Sequence, residues 1–400
     1  MRRQVVITGI GPVCSIANDV DSFFEAMMRG DSALRPIEAL DASGFRSKLA
    51  GEVKDISIRA CVPKSYRKAT KVMARDTELA VMAARFAAQD AGLVTRGSDD
   101  DEQGFTIDPT RTGCQIGAGL IAAETEELAR AAVSAEDDSG RFDMKAWGSG
   151  EGGQGGMNNL PPLWLLKYLP NMLACHVTII HGCEGPSNTI MGAEAGALLS
   201  IGESSRVVER GSADLCFSGG AESRINPLGM LRWDYTGRLA PTHDEQDGST
   251  LVRPFDENAT GSLMGEAGGM VIVEEASHAK DRGARVYARI AGFGAAQMPP
   301  PIFPGLFDEP MPDPVDTGLV RAIRWALRDA GIDAQAIDAI VPMGLGVKQF
   351  DDLELGALAE VFDDRLESVP MVTLCPMVGN TMAGQGGLMV AAAALCLHHQ

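Results

Sequence analysis

The side chains of this chain best suited to chemistry are its cysteines and histidines, but their spacing argues against a metal or redox site. The eight cysteines include no C-x-x-C pair and no His/Cys spacing typical of metal ligands. Such cysteines are typical of small, buried apolar residues in a reducing compartment. Cys175 and Cys183 share one segment with His176 and His181. We expect both cysteines to be structural and both histidines to make hydrogen bonds in the core or an interface.

A glycine pair after the first apolar segment is a second candidate for chemistry. Gly9 and Gly11 form a G-x-G sequence, but the third glycine and the distant acid of a dinucleotide-binding fingerprint are missing. The sequence therefore predicts no nucleotide site. We expect neither a cofactor nor a metal ion.

The charge of the chain narrows the range of partners. Its net charge of −19 would repel a nucleic acid or an anionic membrane. The longest apolar stretch, residues 388–397, is shorter than the roughly 20 residues that cross a bilayer. The first residues lead into a strand rather than into the apolar region of a signal peptide. We expect a cytoplasmic protein that binds neither nucleic acid nor membrane.

Strand-like and helix-like segments alternate along the chain and must position any functional residue. The predicted strands are residues 5–11, 111–119, 215–220 and 270–274, and the predicted helices are residues 71–91 and 194–210 and a segment through Lys280. This alternation predicts an α/β protein with a mainly parallel sheet covered by helices.

An internal echo indicates a duplicated fold. Ile290-Ala291-Gly292-Phe293-Gly294 repeats the strand and G-x-G pattern of residues 7–11, so we expect similar halves at 1–280 and 281–400. Residues 134–159, rich in glycine, aspartate and serine, are predicted to form a flexible surface loop. The proline-dense residues 298–314 cannot form regular structure, and the acidic residues 99–102 are predicted to form a solvated loop.

Several segments, in this order, resemble the β-ketoacyl-acyl-carrier-protein synthases. These are the condensing enzymes of fatty-acid and polyketide assembly, and the resemblance runs from Arg3 to about Leu397. It rests on residues 185–187, 213–222, 253–256, 264–275, 278–284, 321–332 and 351–362. The resemblance implies a thiolase-like fold: two similar halves in a five-layered α/β/α/β/α core, usually dimeric. It also implies that the family's last two strands and a C-terminal glycine-rich loop are missing, whether the chain is naturally short or a fragment.

The family's chemistry is decarboxylative condensation. A cysteine thiolate at a helix N-terminus takes the acyl chain, where the helix dipole favours the anion. Two histidines, or a histidine and an asparagine, then stabilise the enolate formed when malonyl-carrier protein loses carbon dioxide, and a lysine supports the site.

The resemblance places other residues at these four positions. Counting from Gly185-Pro186-Ser187, Glu194 stands at the nucleophile position. Met343 replaces the first histidine, Asn380 the second, and Cys375 the lysine. Glutamate cannot hold a thioester, and methionine donates no strong hydrogen bond. Glu194 is otherwise explained as an acid stabilised in the first turn of a helix, and Met343 as a core residue. We therefore expect these positions to be catalytically degenerate.

Three functions remain open from the sequence. The first is a non-catalytic partner of an active synthase, similar to a chain-length factor, with that synthase and an acyl carrier protein as its partners. The second is an acyltransferase, decarboxylase, thioesterase or CoA-transferase-like enzyme that uses Glu194 in place of the cysteine. The third is a homodimeric acyl-binding scaffold. The sequence names neither the acyl substrate nor the pathway.

Overall fold

The computed structural model describes residues 2–98, 104–149, 155–298 and 315–400. Its strands are β1 (Val5–Cys14), β2 (Leu34–Pro36), β3 (Leu49–Gly51), β4 (Thr112–Ala118), β5 (Ser187–Met191), β6 (Leu215–Ser223), β7 (Met264–Glu275) and β8 (Ala288–Ile290). The first helices are α1 (Val20–Arg29), α2 (Ile58–Cys61), α3 (Arg75–Asp90), α4 (Thr125–Val133), α5 (Met144–Ser149), α6 (Trp164–Lys167) and α7 (Met172–His181). The later helices are α8 (Gly196–Glu209), α9 (Pro227–Tyr235), α10 (Ala276–Asp281), α11 (Thr317–Ala330), α12 (Lys348–Phe362), α13 (Cys375–Val378) and α14 (Gln385–His398).

The strands form one mixed sheet, so the prediction of a mainly parallel sheet is wrong. Its order is β2-β3-β7-β6-β4-β5, with β1 also beside β7 and β8 beside β1. Strand β4 is parallel to β5 and β6, but β7 is antiparallel to both β1 and β6. The chain between β6 and β7 contains only the short helix α9 and irregular segments, and it enters β7 at the same end of the sheet where β6 finishes, which makes the two strands antiparallel.

Helices cover both faces of the sheet. Side chains such as Ile116 and Phe217 pack against α3 and α7 on one face. Val271 and Val273 on β7 pack against α8 and α14 on the other face. Strands buried on both faces need apolar side chains on both. This explains why the strand signals in the sequence are nearly continuous apolar runs.

The two G-x-G segments that repeat in the sequence each pack against a helix in the same way. A Cβ on Gly11 would lie 2.0 Å from the carbonyl oxygen of Ala83 in α3. A Cβ on Gly294 would lie 2.0 Å from the carbonyl oxygen of Ala322 in α11. The first glycine of each pair packs one turn further along the same helix. Only glycine lets the backbone approach a helix so closely, and this shared packing supports our proposed division into similar halves near residue 280.

The structure describes only part of the segments that the sequence predicts as loops. Residues 134–159, predicted to form a flexible surface loop, include helix α5 and an isolated bridge between Glu136 and Phe142, so the described part of this segment is not irregular throughout. The Asp137 carboxylate accepts hydrogen bonds from the backbone N–H groups of Ser139 and Arg141, at 2.8 and 3.0 Å, and this turn brings the bridge together. Residues 99–102 lie outside the described residues, and so does the proline-dense segment after Met298.

The lengths of the helices bear on membrane insertion. Across the described ranges, no helix combines the length and the apolar character needed to cross a bilayer.

Candidate functional site

Glu194 lies on a tight turn between β5 and α8. A 3₁₀ turn at Ala193–Ala195 precedes α8, so Glu194 stands just before that helix and not in its first α-helical turn as predicted. Ala193 has φ of 47°, a left-handed conformation that costs a non-glycine residue ~1–3 kcal/mol. Gly117 in β4 makes room for the turn, because a Cβ there would lie 2.4 Å from the backbone of Gly196. Strained turns of this kind cluster at functional sites.

Asn380 holds the Glu194 carboxylate. Its side chain is 1% exposed, and its Nδ2 donates to Glu194 Oε1 at 3.2 Å. The other end of the amide, Oδ1, accepts a hydrogen bond from the backbone N–H of Met382 at 2.9 Å. This bond fixes the orientation of the amide, so its N–H₂ group must face Glu194.

Met343 lies on a loop that two acidic side chains of α12 hold in place. The backbone N–H groups of Met343 and Gly344 donate to Glu354 at 2.7 and 3.0 Å. Those of Leu345 and Gly346 donate to Asp351 at 2.9 and 3.0 Å. Burial raises the pKa of both carboxyl groups, and these hydrogen bonds oppose the rise. The loop is therefore well ordered, but the thioether of Met343 offers a reacting group no N–H or O–H donor.

Cys375 lies beside the same loop and is a poor candidate for a nucleophile. It is fully buried, and its Sγ donates to the carbonyl oxygen of Met343 at 3.4 Å. Burial raises the pKa of this thiol well above its usual value, and the charges of Asp351, Glu354 and Glu194 raise it further. A thiol that stays protonated is a poor nucleophile.

An apolar cavity of about 450 Å³ joins Glu194 to the Met343 loop. Its walls include Leu198, Phe350, Leu358 and Met389. All the titratable residues that line it within the described ranges are acids, namely Glu194, Asp316, Asp351 and Glu354. The size and apolar walls suit a small organic ligand or an acyl chain.

The structure brings together the four positions singled out in the sequence. Glu194 contacts Asn380, and Cys375 contacts the loop that carries Met343. Sequence reasoning missed the part played by Asp351 and Glu354. Their spacing of three residues places both acids on one face of a helix, and this was the signal that could have found them.

The remaining candidates from the sequence are structural. His176 Nδ1 lies 2.7 Å from the hydroxyl of Tyr66, and His181 Nδ1 lies 2.8 Å from the hydroxyl of Thr95. Burial lowers the pKa of His176 to about 4 and that of His181 to about 3. Both rings are therefore neutral core groups, which confirms the prediction made for them. Cys183 is buried as well, and Cys175 is half-buried.

Two family models match almost the whole chain. The N-terminal domain of β-ketoacyl synthases matches residues 2–279, and the C-terminal domain matches residues 303–400. The chain belongs to the β-ketoacyl synthase family. Its fold is the thiolase-like fold of that family, with a mixed α/β sheet. The resemblance seen in the sequence is therefore confirmed.

Named relatives of this synthase-family chain include an acyl-carrier-protein synthase and a polyketide β-ketoacyl synthase. It is 28% identical over 395 residues to "3-oxoacyl-[acyl-carrier-protein] synthase 2" of Staphylococcus aureus, covering 99% of this chain and 86% of the relative. It is 29% identical over 400 residues to "Granaticin polyketide putative beta-ketoacyl synthase 1" of Streptomyces violaceoruber, covering 100% and 87%. A solved structure, "The ishigamide ketosynthase/chain length factor", matches with a TM-score of 0.78 at 26% identity, covering 100% of this chain and 87% of that one.

Proposed function

We propose that this chain is a catalytically degenerate β-ketoacyl synthase homologue that acts as a chain-length-factor-like partner of an active synthase. The observation that carries the proposal is the carboxylate of Glu194 at the turn before α8, the position to which the sequence resemblance assigns the family's cysteine. Without a nucleophile the covalent route is lost. Without the histidine donor that Met343 replaces, a further factor of about 10²–10³ in rate is typically lost.

The charge of Glu194 also opposes condensation. The family's reaction brings a malonyl carboxylate to the site and develops an enolate there. In this chain the carboxylate of Glu194 lies at the same place, beside Asn380. Like charges in a partly desolvated site repel strongly. A malonyl group is therefore disfavoured, whereas an uncharged acyl chain fits the apolar walls.

An exposed edge of the sheet supports the proposed pairing with another subunit. Strand β5 pairs only with β4 within the described residues, and its side chains are exposed or half-buried. Met191 on β5 and Ile179 on α7 are 58% and 50% exposed. An uncovered strand edge is a template for pairing with another chain. A cysteine-bearing synthase subunit is the partner we propose for it, in keeping with the solved relative named as a ketosynthase/chain length factor.

A basic segment supports the proposed docking of an acyl carrier protein. Residues 59–71 contain no acidic residue but five exposed basic side chains, in a chain of net charge −19. They are Arg59, Lys64, Arg67, Lys68 and Lys71. A carrier protein presents its acyl group on a phosphopantetheine arm, whose phosphate is an anion. A local positive surface on an acidic protein attracts such a partner and steers its approach.

Charge reversal in this segment is expected to weaken carrier-protein binding. Replacing Arg67 and Lys68 by glutamate should lower the affinity for acyl-carrier protein about tenfold at low salt, because each exposed pair contributes ~0.2–1 kcal/mol and reversal adds repulsion. The difference should shrink as salt is added. Titration calorimetry measures it, with Arg130→Glu/Arg141→Glu, also exposed basic residues, as the matched control. Equal losses in both double variants would contradict the docking site.

A second candidate function rests on the contact between Asn380 and Glu194. A glutamate oxygen can attack a thioester carbonyl to give a mixed anhydride, releasing the carrier as its thiol, and an amide N–H₂ group can stabilise the oxyanion that forms. Asn380 Nδ2 lies 3.2 Å from Glu194, next to the cavity. If this enzyme exists, Glu194→Gln must abolish its turnover while leaving the protein folded.

Mass spectrometry of malonyl- and acyl-carrier protein, incubated with the purified chain alone, tests the proposed function. Both thioesters are expected to survive.

A further inference from the structure

An open cleft of about 430 Å³ lies beside the cavity that contains Glu194 and shares no lining residue with it. We call it the outer cleft, and its lining includes Gly237, Thr260 and Gly261, together with Lys348, Gln349 and Asp352 of α12. Other residues near the start of the same helix line the cavity instead, namely Phe350, Asp351 and Leu353. The first turns of α12 therefore form the wall between the outer cleft and the cavity.

The side chain of Arg238 lies at this wall. Arg238 directly follows Gly237, which lines the outer cleft. Its guanidinium carbon is 4.3 Å from the centre of the Phe350 ring, which lines the cavity, and 5.0 Å from the centre of the Trp233 ring on α9. Both distances are within the range of a cation–π contact. The guanidinium therefore joins α9 to α12 at the point where the outer cleft and the cavity come closest.

The side chain of Arg238 can move more easily than its backbone. The backbone carbonyl oxygen of Arg238 accepts a hydrogen bond from the N–H of Ser262 at 2.8 Å. The next residue, Leu239, is buried and forms an isolated parallel bridge with Ser262. The arginine side chain is long and flexible, and its contacts with two aromatic faces can break and form again without any change in the fold.

The charge of Arg238 acts on the site inside the cavity. Burial lowers the pKa of Arg238, and the negative charge of Glu194 opposes this change. The guanidinium is therefore close enough to interact with the Glu194 carboxylate. Arg238 places both its bulk and its positive charge between the outer cleft and Glu194.

We propose that Arg238 and Phe350 form a gate between the outer cleft and the cavity, which is closed while the guanidinium lies on the Phe350 ring. An acyl group that enters from the outer cleft has to displace the side chain of Arg238. The closed gate slows this entry and does not prevent it. The inference rests on the proposed function in one respect, namely that the cavity receives an acyl chain.

The rate at which a thiol at position 194 is modified tests the gate. In Glu194→Cys, mass spectrometry of the proteolytic peptide gives the rate of alkylation of residue 194 by N-ethylmaleimide, separately from the native cysteines. Adding Arg238→Ala should make this rate about tenfold faster than adding Arg238→Met, because alanine opens the path whereas methionine still fills it. Both changes remove the same charge, so a charge effect on the thiolate cancels in the comparison. Arg232→Ala, which changes an exposed arginine of α9, is the matched control and should leave the rate unchanged.

Entry of the neutral dye Nile red tests the gate with Glu194 in place. Stopped-flow fluorescence should show entry about tenfold faster in Arg238→Ala than in Arg238→Met. Phe350→Ala, which removes the other half of the gate, should accelerate entry as much as Arg238→Ala does. This second variant keeps the test available if Arg238→Ala fails to fold.

Equal alkylation rates in the alanine and methionine variants would overturn the gate, and so would an equal gain in Arg232→Ala. Equal rates of dye entry, including no entry into either variant, would overturn it as well. Neither measurement uses a carrier protein, so the gate can fail while the proposed function stands. Turnover of a thioester by the chain would contradict the proposed function and leave the measured gate unchanged.

Discussion

Replacing Glu194 by cysteine is expected to let the chain take an acyl group from acyl-carrier protein. We expect no acyl group on the wild type and an acyl group on a large fraction of the variant. The residue stands directly before the 14-residue helix α8, whose N-terminus favours a thiolate. The Asn380 amide is within reach of the residue, and the apolar cavity lies beside it. Intact-protein mass spectrometry would show the acyl mass on the variant. In the wild type, six of the eight cysteines are buried.

The same variant should acylate without condensing. Met343 still provides no donor for the enolate, so the acyl group should remain on the protein when malonyl-carrier protein is added. Adding Met343→His should restore part of the second step. Glu194→Ser is the control for size and polarity, and it should carry no acyl group. If Glu194→Cys stays unlabelled while folded, position 194 is not the acyl-accepting point, and the assignment taken from the resemblance is wrong.

Replacing Asp351 by alanine is expected to lower the free energy of unfolding by about 3 kcal/mol or more. This buried carboxylate accepts hydrogen bonds from the backbone N–H groups of Phe255, Leu345 and Gly346. Each buried donor left without a partner costs ~1–3 kcal/mol. Phe255 also has φ of 61°, a strained conformation that its hydrogen bond to Asp351 helps to hold. Urea denaturation followed by circular dichroism gives the difference.

Asp352 is a matched control for that measurement. It is the next residue on α12, and its side chain is 38% exposed and pairs with Lys348 at 3.0 Å. An exposed pair of this kind contributes ~0–1 kcal/mol, so Asp352→Ala should be nearly neutral. Similar losses in the two variants would show that the Met343 loop does not depend on the Asp351 carboxylate.

The positions of the elements could be predicted from the sequence far better than the directions of the strands. The apolar run from Val5 marked β1, and the glycines that end helices marked their limits. Strand direction depends on how the chain returns to the sheet, and the segment between β6 and β7 carries no periodic signal of that path. Helix α5 was missed because it begins with local hydrogen bonds to Asp143, whose carboxylate accepts from the backbone N–H of Lys145, within a glycine-rich segment.

The sequence predicted which residues form the candidate site, but not which of them contact one another. The resemblance gave Glu194, Met343, Cys375 and Asn380, which are far apart in sequence but close in space. The hydrogen bond from Asn380 to Glu194 depends on the amide orientation, which the backbone of Met382 sets.

The central claim is that the chain alone does no chemistry on acyl thioesters. The most direct test is mass spectrometry of acyl- and malonyl-carrier protein after incubation with the purified chain, beside a control without protein and one with Glu194→Gln. We predict that both thioesters come through at the control rate with either form of the chain. Decarboxylated, hydrolysed or extended product above the control would contradict the account, and its loss in Glu194→Gln would identify the glutamate as the reacting group.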